Sequence, residues 1–81
     1  MQARPKRLSV GDRAINLTQV LKLAGWADTG GEAKALIADG RIRVNGIPES
    51  RKRRKMALGD CVAIDDGPSL VLVGNPPLPS D

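Results

Sequence analysis

The chain has 81 residues, room for one small domain with a modest core. It holds no His, Tyr or Phe, one Trp and one Cys, which excludes histidine triads, histidine metal sites, internal disulfides and thiolate zinc clusters. Thirteen Lys and Arg against nine Asp and Glu give a net charge of +4, and no apolar run approaches the roughly 18 residues of a membrane span.

Residues 1–13 are polar and basic and are broken by Pro5 and Gly11. They read as a flexible arm, with Leu8 and Val10 able to pair onto a sheet edge. Asn16 or Thr18 can cap a first helix that runs to about Ala24. Its apolar stripe is Leu17, Val20, Leu21 and Ala24, at i, i+3, i+4, i+7 spacing. Lys22 falls off that stripe, and Gly25 suits the left-handed position after a helix end. Trp26 is expected against the core between two helices rather than on a ligand. Thr29-Gly-Gly-Glu32 has capping-box spacing, in which each side chain satisfies the other's free backbone N–H. Ala33, Leu36 and Ile37 give the second helix, about 30–39, its apolar face, and Gly40 closes it.

From Arg41 the period changes to two. Ile42 and Val44 point inward, while Arg41, Arg43 and Asn45 share the outward face. Asn45-Gly46 is a two-residue hairpin turn, and Pro48 confines the return strand that starts at Ile47 to a sheet edge. Leu58-Gly59-Asp60 turns into a strand over Cys61–Ile64, with Cys61 expected as a small buried residue. Asp65-Asp66-Gly67 reads as another turn and not a metal site, before a last strand over Leu70–Val73. Residues 74–81 hold three prolines and read as a tail. This order predicts an α+β fold over 14–73, a two-helix hairpin packed on a small antiparallel sheet of short strands.

The charge is divided along the chain. All thirteen basic residues lie in residues 1–55 beside five acids, giving +8, whereas residues 56–81 carry −4. Seven of the basic residues fall between Arg41 and Lys55, a concentration that implies a polyanionic partner. Arg51-Lys52-Arg53-Arg54-Lys55 is charged on both faces, so neither face suits a core. A phosphate backbone would relieve the mutual repulsion and release counterions. The competing reading is a solvated loop that serves solubility. Arg41 and Arg43 suit phosphates and exposed bases, or decorate a half-buried strand. Lys22 and Lys34 line a groove or are ordinary surface lysines. Gly30-Gly31 at a helix start is weak alone as a phosphate site.

The run from Thr29 to Gly46, with its Glu-Ala-containing helix, Gly, alternating strand and Val-Asn-Gly, resembles the RNA-binding domain of the ribosomal protein S-four type. Leu58-Gly59-Asp60 before an apolar strand is similar to the closing turn of that family, and the likeness covers about residues 15–65. Gly25-Trp26 and residues 49–55 are most similar to its small stand-alone bacterial branch, the YbcJ-like proteins. The resemblance implies an αL motif whose helical hairpin and adjoining strand cradle structured RNA, ribosomal or transfer, without catalysis and without a cofactor. By matching position it assigns RNA contact to Thr29, Lys34, Arg41, Arg43 and Asn45. Many members carry Arg where this chain has Gly30, which shifts that contact's work to the Arg51–Lys55 loop. Together with Lys22, these residues are expected to form one continuous cationic surface across hairpin and sheet. The expected setting is a cytoplasmic monomer that binds RNA, with the ribosome or its precursors as candidate partners and no membrane. The alternative reading is a protein-interaction module that docks an acidic partner through the basic loop. Duplex DNA ranks lower, because the second helix offers only Lys34 to a groove.

Overall fold

The structure, a computed structural model, describes residues 6–11, 14–65 and 67–74. It contains two helices, a five-stranded mixed sheet and a separate two-stranded ribbon. The elements run β1 (Lys6–Ser9), β2 (Ile15–Asn16), α1 (Leu17–Leu23), α2 (Gly30–Ala38), β3 (Ile42–Val44), β4 (Ile47–Pro48), β5 (Lys55–Met56), β6 (Cys61–Ile64) and β7 (Ser69–Val73). The large sheet has the order β1-β7-β6-β3-β4.

Both helices start and stop where their flanking residues demand. Asn16 caps α1: its Oδ1 accepts the Gln19 N–H at 2.9 Å, and Gln19 Oε1 accepts the Asn16 N–H at 2.9 Å. Thr18 has a different use, described below. At α2 the Thr29 hydroxyl accepts the Glu32 N–H at 3.1 Å. The reciprocal half of the expected box is absent, because the Glu32 carboxylate reaches one residue further back to the Asp28 N–H. Each helix closes on a glycine with positive φ, Gly25 at 79° and Gly40 at 74°. The next N–H then bonds back into the last turn, Trp26 to Leu21 and Arg41 to Leu36.

The alternation in β3 holds. Ile42 and Val44 are buried and Arg43 between them is exposed. Asn45 and Gly46 both take positive φ, 54° and 84°, so the tight turn is of the mirror-image type that matches strand twist. Pro48 sits in β4 at the edge of the sheet, where its missing N–H leaves no ladder bond unmade.

Three expectations are corrected. Residues 6–9 are not an arm: they form β1, paired parallel to β7 from Lys6 opposite Leu70 to Ser9 opposite Val73, and Val10 is buried. Leu8, between Arg7 and Ser9, packs partly against the core, enough apolar content to hold an edge. The sheet is consequently mixed rather than antiparallel. Cys61, expected inside, is exposed, because the residues of β6 that alternate inward begin with Val62. The remaining parts of the expected arm (residues 1–5, 12 and 13), the tail from 75 onward and Asp66 lie outside the described residues.

One core cluster joins Leu17, Val20 and Leu21 of α1, Ala33 and Ile37 of α2, and Ile42, Val44, Val62, Leu70 and Leu72 of the sheet. Trp26 packs partly buried against it, as expected of a large residue between two helices. Val62, Leu70 and the β3 pair all face this cluster, so Arg43, Cys61 and Val71 lie on the sheet's opposite face.

Candidate nucleic-acid interface

The basic run is a folded loop, not a loose one. It leaves β4 and ends in β5, which pairs antiparallel with β2, Lys55 opposite Asn16 and Met56 opposite Ile15. Since Asn16 is the cap of α1, this pairing lays the loop across the start of that helix. The first N–H groups of a helix have no partner within it. Here loop carbonyls accept them: Leu17 N–H donates to Arg54 O at 3.0 Å, and Thr18 N–H to Lys52 O at 3.2 Å. The Thr18 hydroxyl also donates to Lys52 O, at 2.7 Å.

Two carboxylates then organise the side chains. Glu49 accepts the Arg51 backbone N–H at 3.0 Å, Arg51 Nε at 3.0 Å and Arg51 Nη2 at 3.1 Å. Its Oε1, which accepts Arg51 Nη2, also lies 2.9 Å from Arg54 Nε. Bonds from the Arg51 side chain and backbone hold the Glu49 carboxyl at a pKa of about 2, and the same contact raises Arg51 further. Asp60 accepts Arg54 Nη1 at 3.3 Å, the Ala57 N–H at 2.8 Å and Asn45 Nδ2 at 3.1 Å. Burial pushes the Asp60 carboxyl up, but the Ala57 N–H, the Asn45 amide and Arg54 together outweigh it and leave its pKa lowered.

The five cations of the loop therefore fall into two sets. Arg54, with a side chain only 25% exposed, bridges Glu49 and Asp60, although no charged side chain among the described residues enters the core. Arg51 is exposed but held by Glu49. Lys52, Arg53 and Lys55 are exposed and have no carboxylate partner among the described residues. Lys34 of α2 and Lys52 line one groove, floored by Ala35 and Ile37. On the other side, Arg53 and Lys55 share a groove with Gln19 of α1, and Lys22 borders the adjoining one with Leu23. The loop thus lies between a groove that holds Lys34 and the grooves beside Gln19 and Lys22.

The other expected contacts lie elsewhere. Arg43 is on the sheet face away from the helices, and Arg41 is 3.9 Å from Asp65. Asn45 is occupied by the fold: besides its bond to Asp60, its Oδ1 accepts the Cys61 N–H at 2.9 Å. Thr29 serves as a helix cap. The single continuous surface expected across hairpin and sheet is therefore divided, because strand alternation turns Arg43 away from the core that the helices cover. Sequence reasoning missed Glu49 and Asp60. The signal available was a Glu two residues ahead of the basic run.

No helix among the described residues is long and apolar enough to cross a membrane, and they contain no cluster of metal-ligating side chains. Comparison with known proteins adds a family to this geometry. The sequence profile of the S4 domain matches residues 8–72. YbcJ of Escherichia coli, a protein named for RNA binding, is 43% identical over 49 residues, 60% of this chain and 70% of that one. RlbA of Bacillus subtilis, named for ribosome maturation, is 38% identical over 58 residues, 72% of this chain and 82% of that one. The solution structure of Escherichia coli YbcJ, described as revealing an αL motif involved in RNA-binding, is similar over 91% of this chain and 94% of its own, with a TM-score of 0.67 at 35% identity.

Proposed function

Since this chain belongs to the S4 domain family, we propose that it is an RNA-binding module that holds structured RNA, ribosomal or transfer, by its phosphate backbone and shape. In this reading it acts without catalysis or cofactor, as a cytoplasmic monomer, and takes part in work on the ribosome or its precursors. The names of YbcJ and RlbA support the RNA class. The observation that carries the reading is the set of loop cations with no carboxylate partner among the described residues, Lys52, Arg53 and Lys55, on a loop tied to α1. Exposed like charges on a fixed frame gain nothing from one another and gain most from a polyanion. Lys22 and Lys34 extend the surface to either side, and the helical hairpin with the adjoining loop forms the cradle. Arg41, Arg43, Asn45 and Thr29 are secondary in this reading, since two of them are committed to the fold and the others face elsewhere.

The test is binding to a folded RNA, such as a transfer RNA transcript, across a salt series. Four to six phosphate contacts give log affinity a slope of roughly −3 to −5 against log salt. A slope near zero, or no binding at low salt, overturns the reading. Preference for an equal-length DNA duplex, or a pull-down that survives nuclease through an acidic protein, assigns the loop to another partner.

A further inference from the structure

We propose that Glu49 is a positioning residue for RNA binding, a role that rests on the RNA-binding reading above and adds its means of presentation. Simple charge counting argues the other way. A carboxylate in the middle of a cationic surface repels phosphate and offsets one of the two guanidinium charges it contacts, so Gln would be the better residue for a polyanion site.

The geometry points to a different use. Glu49 is only 12% exposed in its side chain and receives four donors, three from Arg51 and one from Arg54. It thereby ties the first and fourth residues of the basic run to a single point. Lys52 and Arg53 lie between those two anchors, and their side chains stand exposed on the outside of the curl. The carbonyls of Lys52 and Arg54 are fixed at the same time on the first N–H groups of α1. Lys55, the last of the run, is fixed by its pairing opposite Asn16.

Five adjacent cations without that anchor would spread apart and become ordered only when RNA arrives. Ordering long side chains at the moment of binding subtracts from affinity, and an anchor that orders them beforehand removes the penalty. Glu49 withdraws two guanidinium groups from RNA to hold three other cations in place. Arg51 and Arg54 are then framework, and Lys52, Arg53 and Lys55 are contacts.

Two substitutions separate positioning from charge. Glu49→Gln raises the net charge by one, and Glu49→Asp keeps the charge but is too short to reach both Arg51 and Arg54. If Glu49 positions the loop, both variants bind a transfer RNA transcript about tenfold more weakly than the parent. The salt slope stays unchanged, because the same phosphates are contacted. In a background where Lys52, Arg53 and Lys55 are all Gln, neither change at position 49 has a further effect, whereas a general loss of structure lowers the residual binding again. Glu49→Asp also keeps the proposal falsifiable should Glu49→Gln fail to fold. Equal or tighter binding by Glu49→Gln with an unchanged Glu49→Asp makes the carboxylate a competitor of phosphate and overturns the proposal. A parent chain that does not bind RNA at all refutes the functional reading itself, and the positioning role falls with it.

Discussion

Arg53 and Arg43 are both exposed arginines in a short basic stretch, yet the fold treats them in opposite ways. Arg53 sits on a loop whose carbonyls cap α1, between residues anchored by Glu49, and its groove neighbours include Lys55. Arg43 alternates with buried Ile42 and Val44 and looks out from the far face of the sheet, beside Ala63 in the next strand. One region gathers cations from two helices and a loop, and the other sets Arg43 between Pro48 and Ala63 on a face that also carries Cys61, Val71 and Arg7. Charge density in the sequence does not distinguish them. What distinguishes them is which carboxylates and which helix ends lie nearby.

The largest contrast is expected in affinity. Replacing Lys52, Arg53 and Lys55 together with Gln lowers RNA affinity about a hundredfold near physiological salt, and the salt slope becomes shallower by roughly 2 to 3. Thermal unfolding of the same variant stays within a few degrees of the parent, because none of the three side chains has a carboxylate partner among the described residues. Loss of the fold in that variant would make the loop structural throughout.

Arg54→Ala shifts the effect from binding to stability. It leaves Glu49 and Asp60 without a shared cation in a part-buried place, which destabilises the protein by about 2 kcal/mol in denaturant titration. Arg53→Ala, one residue earlier, leaves stability unchanged. Equal stabilities for the two variants would erase the division between framework and contact.

Acid acts on the same framework. The folded pKa of Glu49 is about 2 against an ordinary 4.5, so its contribution is fully present above about pH 4.5 and is lost as pH falls toward 2. Asp60, also lowered, acts in the same direction. Unfolding midpoints measured from pH 6 to pH 2.5 therefore fall with acid, and the fall is smaller in Glu49→Gln.

The smallest effects belong to the sheet's outer face. Arg43→Gln changes RNA affinity less than about twofold, since it removes no contact of the loop surface. Exposed Cys61 reacts with iodoacetamide in the folded protein, and the alkylated protein binds RNA as before. Binding lost by alkylation would place RNA on the sheet instead.

Much of this architecture was legible in advance because it is local. Helix caps at Asn16 and Thr29, closure at Gly25 and Gly40, the Asn45-Gly46 turn and the buried Ile42/Val44 pair are each decided within a few residues. What escaped was set by partners far along the chain. That Leu8 and Val10 can pair onto a sheet edge is legible, but the choice of β7, some sixty residues later, and the parallel direction are not. The candidate site divided in the same way. The basic loop could be identified from charge, but its shape depends on Asp60 in the following turn and on the first N–H groups of α1 donating to its carbonyls, and neither is encoded within residues 51–55. Alternation placed Arg43 outward correctly. It could not say that the helices, and with them the loop, lie on the other side.

The most direct test follows backbone amide signals by NMR while a folded RNA is added. Perturbed amides should cluster on residues 51–55 and around Lys22 and Lys34, with Arg43, Cys61 and Val71 unaffected. Perturbations centred on β3 and β6 with a silent loop would contradict the account.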